Sequence, residues 1–306
     1  MPLAHLHLSG GSYRTLSEQL DRSPTSLWRD TQRELVSLPH CFDITRKYCS
    51  RFCQILLVDG KYVKVGGRYG AREIPVIYGI DYLTHDIPGY RLAPSESYQA
   101  CLKFFASLKL AGYTPCALVC DDNENIRRAA DKIFPGVVIQ LCQRHYLENV
   151  RKILDTKNDP KYRLFVAALK RILSKRRAPQ ELKSLAGRLV SAFSGDQNIL
   201  YVLADLEKRA NHLFGYMYFA NTPTTNNLIE CFNSHLEGRL KTIKGFQSFK
   251  SADLWLNAYF IRRRLTPFKD CVGKFCSLNG HCSLEKTLHD PYNLTRLKNL
   301  FKKRPI

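Results

Sequence analysis

A chain of 306 residues that is 44% hydrophobic can bury a real core as one large or two ordinary domains, and its 47 Lys+Arg against 27 Asp+Glu leave a formal charge of +20. That imbalance favours a polyanionic partner, nucleic acid ahead of an acidic membrane surface. No apolar run approaches the roughly 20 residues of a spanning helix, and His5, His7, Ser9 and Gly10 interrupt any export-signal core. The eleven cysteines, scattered through apolar segments, read as reduced thiols of a cytoplasmic protein.

Ser12 to Leu35 reads as two helices with a tight turn. Tyr13, Leu16 and Leu20 recur at helical spacing, Asp21-Arg22 breaks the run, and Ser23-Pro24 supplies an N-cap followed by proline at the first helical position. The second helix is expected to turn Leu27 and Trp28 inward and Thr25, Ser26, Arg29 and Arg33 outward. That is the layout of a helix-turn-helix, whose second helix offers polar residues to the major groove; a plain αα-hairpin is the alternative. With no convincing helix upstream of Ser12, the unit is expected to be cut short.

From Gln54 the periodicity becomes that of strands: Ile55–Val65, Arg72–Asp81 and Ile87–Ala93, joined by short turns as an antiparallel meander. A helix is expected over Ser97–Ala111, with Leu102, Phe105, Leu108 and Leu110 inward, then a strand over Cys116–Cys120, a helix over Asn125–Phe134 and a strand over Val137–Leu141. The sum is an α/β fold, a mixed five-stranded sheet flanked by helices. Leu147 to Phe219 reads as helical and basic, with Lys170, Arg171, Lys175, Arg176 and Arg177 in one run that is either a solvated face or a phosphate contact. A further helix follows Asn221-Thr222-Pro223 and contains Glu230.

Asp59 is out of place in its strand, because an ionised carboxylate there is costly unless paired, hydrogen-bonded or bound to a metal. Asp121 ends the fourth strand, and the first and fourth strands of a mixed sheet can be neighbours. Like charges brought together raise each other's pKa, and a divalent cation resolves the conflict. Oxygen-only ligands from Asp59, Asp121 and Glu230 suit Mg²⁺ or Mn²⁺. Two such ions would activate a water and stabilise a leaving 3′-oxygen on phosphate. Singly, the three acids read as a turn residue, an N-cap and a helix-surface acid; together in so basic a chain they point to chemistry.

LLVDGKYVKV, LVCDDNENIRRAADKIFPGVVIQLCQRHYLENV and TPTTNNLIECFNSHLEGRLKTIKGF, in that order, resemble the DDE transposases of bacterial insertion sequences and the Mutator-like, or MULE-type, group. The resemblance covers about Gln54 to Phe268. It implies an RNase H-like catalytic domain interrupted by an all-helical insertion, Mg²⁺-dependent cleavage and joining of transposon ends, and Asp59, Asp121 and Glu230 as the catalytic, metal-binding acids. It also matches a Cys-x-x-His pair to Cys142 and His145, too few ligands for zinc alone; His145 is expected to order the active site or contact DNA, or else to cap the following helix. Asp122 stands where the family usually has glycine and is expected to compete for the metal or distort the loop. Glu237, on the same helical face as Glu230, is a lesser candidate for the third acid.

Asn226 and Asn233 would share the face of Glu230, and Arg239, Lys241 and Lys244 would follow as phosphate contacts. Trp255 reads as core. Cys271, Cys276, His281 and Cys282 lack a CxxC pair and read as ordinary thiols and a loop rather than a zinc site. The expected organisation is a helix-turn-helix over 1–50, a catalytic core over 51–150, a helical insertion over 151–220, the last core helices over 221–268 and a basic tail over 269–306. The expected partners are double-stranded DNA, as terminal inverted repeats and target, and further copies of the chain in a synaptic complex. A decayed or domesticated DNA-binding protein and a structure-selective nuclease on the same fold are the alternatives.

Overall fold

Four helices precede the first strand: α1 (Leu3–Leu8), α2 (Tyr13–Leu20), α3 (Pro24–Val36) and α4 (Cys41–Tyr48). The structure is a computed structural model, and it describes residues 2–66, 72–173, 175–243 and 245–301. Side-chain caps start α2 and α3: Ser12 Oγ accepts from Thr15 N at 3.1 Å and Ser23 Oγ from Ser26 N at 3.2 Å, with Pro24 opening α3. Contrary to expectation, a helix does lie upstream of Ser12. The Glu34 carboxylate of α3 accepts from the first amides of α1, Leu3 N at 3.2 Å and Ala4 N at 2.7 Å, and so supplies the cap its sequence lacks. Trp28 is 40% exposed rather than inward. The buried line of α3 is Leu27, Thr31 and Leu35, four apart, and one residue's turn carries Trp28 off it.

The five strands are β1 (Ile55–Val65), β2 (Arg72–Asp81), β3 (Gly89–Leu92), β4 (Ala117–Cys120) and β5 (Val138–Leu141), in the spatial order β3-β2-β1-β4-β5. The meander pairs antiparallel, while β1–β4 and β4–β5 are parallel, as a mixed sheet requires. Between β3 and β4 runs α5 (Tyr98–Leu110), capped by Ser97 Oγ, and between β4 and β5 runs α6 (Glu124–Ile133), capped by Asn123. Leu110 is 79% exposed, not inward; Cys101, Phe104, Phe105 and Leu108 form the buried face, and the phase of the helix leaves its last residue in solvent.

Strand alternation builds a core on each side of the sheet. Leu57, Val63, Val76, Tyr78, Ile80 and Val119 face one layer, made by the N-terminal helices, α11 (Asn227–Ile243) and α12 (Phe249–Leu265). Leu56, Val58, Ile77, Leu118 and Ile139 face the other, made by α5, α6, α7 (Gln143–Ile153) and the helices that follow it: α8 (Arg163–Leu173), α9 (Pro179–Phe193) and α10 (Gln197–Leu213). Two buried amides fasten α10 to β5 and to the start of α7: Gln140 Nε2 and Gln143 Nε2 each donate to Leu213 O at 2.8 Å, answering a carbonyl that a helix end leaves unpaired.

Residues 269–301, expected as a basic tail, include α13 (Ser283–Thr287) and α14 (Asn293–Lys298), and bury Leu284, Leu288 and Leu297 in the first layer. Arg264 of α12 is fully buried against Asp86, donating from Nε at 2.9 Å and Nη2 at 2.7 Å. Asp86 also accepts from Ser283 Oγ at 2.9 Å and Thr287 Oγ1 at 2.7 Å, and Arg264 Nη1 donates to Thr45 Oγ1 at 3.0 Å. One ion pair thus joins α4, the β2–β3 turn, α12 and α13. Trp255, 2% exposed and stacked 5.3 Å from Tyr259, is core.

Candidate active site

The parallel ladder between β1 and β4 ends at the pair Leu57–Val119, and two residues further along each strand stand Asp59 and Asp121. Because β1 outruns β4, both carboxylates lie where the sheet opens at the carboxyl end of its parallel strands. Asp59 is pushed up to about 6, first by burial and then by the charge of Asp121. Hydrogen bonds from Gly60 N at 2.8 Å and Asn233 Nδ2 at 2.6 Å work against that rise.

α11 supplies the rest from one face. Asn226, just before the helix and fully buried, donates Nδ2 to Asp121 Oδ1 at 2.6 Å; Asn233, seven residues on, donates to Asp59 and accepts from Tyr78 OH at 2.8 Å. Glu230 lies between them and meets Asp121 through His145. The imidazole Nδ1 is hydrogen-bonded to Asp121 Oδ1, while Nε2 stands 3.3 Å from Glu230 Oε1. His145 is raised to about 10, foremost by that hydrogen bond to Asp121 and next by Cys142. Arg144, its neighbour on α7, pairs with Glu230 Oε2. Cys142, His145 and Asp121 have ligand atoms within 4.8 Å of one another, the one such group of three among the described residues.

Buried oxygens test whether a cation suits the place. Asn226 Oδ1 is a buried acceptor without a hydrogen-bond partner among the described residues, and buried Glu230 Oε1 has only its ionic contact with His145, so the site has some acceptor capacity to spare. Three carboxylates and an amide oxygen are hard donors, which fit Mg²⁺ or Mn²⁺. Arg144 and His145 meanwhile set positive charge against Glu230 and Asp121.

A family model described as Transposase, Mutator family, matches residues 44–261 and so spans all five strands and α11. The chain belongs to the Mutator family of transposases. No curated relative matches it.

In this Mutator-family chain two acids near the site have other work. Asp122 pairs with Arg127 Nη2 at 3.0 Å and with Arg209 of α10, which fastens the helical segment to the end of β4. Glu237 takes Lys61 Nζ at 2.8 Å and Lys241 Nζ at 3.2 Å, and Lys61 foremost lowers its pKa. Glu96 is a fourth carboxylate that sequence reasoning passed over. Its Oε2 accepts from Tyr62 OH at 3.1 Å and its Oε1 from Asn123 Nδ2 at 2.9 Å, and burial raises its pKa. A Cβ on Gly60 would come within 2.8 Å of Glu96 Oε1, so a larger residue there would displace the Glu96 carboxylate. Arg144 was missed as well; no motif marks either residue, although Arg144 adjoins His145.

Among the residues expected to touch DNA, Thr25, Arg29 and Arg33 are exposed on α3, and Ser26 is half-buried and accepts from Arg22 Nη2 at 2.9 Å. Lys241 is exposed, and Lys244 lies outside the described residues. Arg239 instead donates to Leu8 O and His7 O, both at 3.1 Å, and Arg262 Nη1 to Leu8 O at 3.3 Å. These two arginines cap the C-terminal end of α1, where a helix leaves carbonyls unpaired and favours positive charge. Cys271, Cys276, His281 and Cys282 do not gather as ligands; His281 bonds Glu285 at 2.8 Å and the Cys282 thiol lies 3.4 Å from the same carboxylate.

Proposed function

We propose that this chain is a DDE-type DNA transposase on an RNase H-like core, which hydrolyses a phosphodiester at each transposon end and uses the freed 3′-OH to attack target DNA. The observation that carries the reading is the pair of amides, Asn226 just before α11 on Asp121 and Asn233 within it on Asp59, with Glu230 between them, in a chain of the Mutator transposase family.

Asp59, Asp121 and Glu230 would hold the ions, two Mg²⁺ or Mn²⁺, which supply charge neutralisation and activation of the attacking oxygen. The amides orient the aspartates without neutralising them, so their charge stays available. His145 fixes the direction of Asp121 and holds a proton beside the reacting phosphate. Arg144 is placed to contact phosphate once a cation takes its role at Glu230. On this reading Thr25, Ser26, Arg29 and Arg33 form the reading face of a helix-turn-helix, Lys241 contacts phosphate, and copies of the chain pair to hold two ends. The protein would act in the cytoplasm on the nucleoid.

Two observations favour the catalytic reading over a catalytically silent DNA-binding protein. Asp122 is spoken for by Arg127 and Arg209, and α1 lies upstream of Ser12. A labelled terminal repeat incubated with Mg²⁺ tests the reading. Nicking followed by joining of the 3′ end to a second duplex is expected, cutting without joining would indicate a nuclease, and binding without cutting would overturn the catalytic reading.

A further inference from the structure

α7 begins at the candidate active site and leads away from it. Its first turn carries Arg144 and His145; its last carries Arg151 and Lys152, about 10 Å further along the axis. Lys152, Glu148 and Asn149 line the same cleft as Asp121 and His145. One residue over, Arg151 lines a second cavity of about 300 Å³ with Thr156, Arg163, Val166, Ala167 and Lys170.

This cavity holds three cations and no acid. Arg163, Ala167 and Lys170 stand at i, i+4 and i+7, on one face of α8, and the small side chain of Ala167 leaves the space that two flanking cations enclose. Arg151, Arg163 and Lys170 are exposed, and none has a hydrogen-bonded or ionic partner for its side chain among the described residues. Elsewhere the chain sets a cation beside an acid on the same helix, as with Arg128 and Glu124 at 3.7 Å and Lys241 and Glu237 at 3.2 Å. Three like charges around one hollow repel each other, a cost that a bound dianion or a phosphodiester would remove, and arginines offer the fork that matches phosphate oxygens.

We propose that Arg151, Arg163 and Lys170 bind the phosphate backbone of duplex DNA beyond the candidate active site, at the C-terminal end of α7. The inference rests on the proposed action on DNA. It adds a sequence-independent contact within the helical segment and gives the strand a direction, along α7 and away from Glu230.

The test is fluorescence anisotropy of a labelled 30-base-pair duplex in EDTA over a series of KCl concentrations. It compares the full chain with Arg151→Ala/Arg163→Ala and with Lys170→Ala, each checked for an unchanged melting temperature. Each phosphate contact contributes about 0.9 to the slope of log K against log salt, so the double variant should lose about 1.8 of slope and, from equal affinity at 1 M, bind about 60-fold more weakly at 0.1 M salt. Lys170→Ala should lose about half as much slope. Unchanged slopes would overturn the site while leaving the transposase reading intact; a wild type that binds no DNA would overturn both. If the variants match wild type on DNA while inorganic phosphate raises the melting temperature of wild type alone, the cavity serves a free phosphate and the DNA assignment falls.

Discussion

Asn233 donates its side-chain amide to the Asp59 carboxylate at 2.6 Å, and two turns earlier Asn226 does the same for Asp121 at 2.6 Å. A helix that reads both aspartates can be seated in one register only. That register puts Glu230 between them and leaves Glu237, two turns beyond Glu230, to Lys61.

The cost of this arrangement is measurable at Asp59. Its ordinary value of 3.8 is raised to about 6 in the folded chain, so the folded state holds the proton more tightly than the unfolded one. The associated stability is present below pH 3.8 and lost as pH rises through about 6, a loss of about 3 kcal/mol at pH 8. Asp59→Asn should therefore melt several degrees above wild type at pH 8 in EDTA, and the gap should shrink at pH 5. Equal melting at both values would show that the carboxylate is not strained.

His145 titrates with the same sign but in a higher pH window, because here it is the charged form that the site favours. Raised from 6.5 to about 10, it contributes stability that is complete below pH 6.5 and lost as pH rises through about 10. A cation at Asp121 must compete with that proton. Calorimetric titration with Mn²⁺ should show affinity rising by about tenfold per pH unit between pH 7 and 9, and a much flatter dependence in His145→Gln. Parallel pH profiles for the two proteins would remove His145 from the site.

Asp122 is predicted to clasp rather than to coordinate. Asp122→Ala should free Arg209, make the segment containing α9 and α10 more sensitive to limited proteolysis, and slow DNA cleavage by no more than about tenfold. A loss of about 10³, the scale expected for a group acting on the reacting charge, would instead return Asp122 to the metal.

Stability should hinge on Asp86 and Arg264. Removing one partner of a fully buried pair leaves the other charged and unanswered, at a cost of about 3–5 kcal/mol. Asp86→Ala should lower the denaturation midpoint accordingly, and because the pair joins α4 to α13, a single cooperative transition should move. A change below about 1 kcal/mol would mean that water reaches the pair.

The strands were legible because half-buried sheets impose a period of two, and Asp59 and Asp121 stood out against it. Their partnership followed from parallel pairing of β1 with β4, which topology made available but sequence did not compel. Glu96 and Arg144 carry no pattern; their roles exist only once α5 and α7 are docked. Arg239 reads from sequence as a phosphate contact because composition cannot say that α1 ends against it. Trp28 and Leu110 were assigned to the wrong face because a one-residue error in helical phase moves a side chain by about 100°. Residues 269–301 hid their core leucines in a basic segment, where net charge drew the eye from spacing.

The central claim is that α11 delivers Glu230, and not Glu237, to the two aspartates. Mg²⁺-dependent cleavage of a terminal repeat by Glu230→Gln and Glu237→Gln, at matched DNA occupancy, tests it most directly. The account predicts a loss of at least about 10³ in rate for Glu230→Gln and a change within about threefold for Glu237→Gln. Wild-type cleavage by Glu230→Gln, or the reverse order of the two variants, would contradict it.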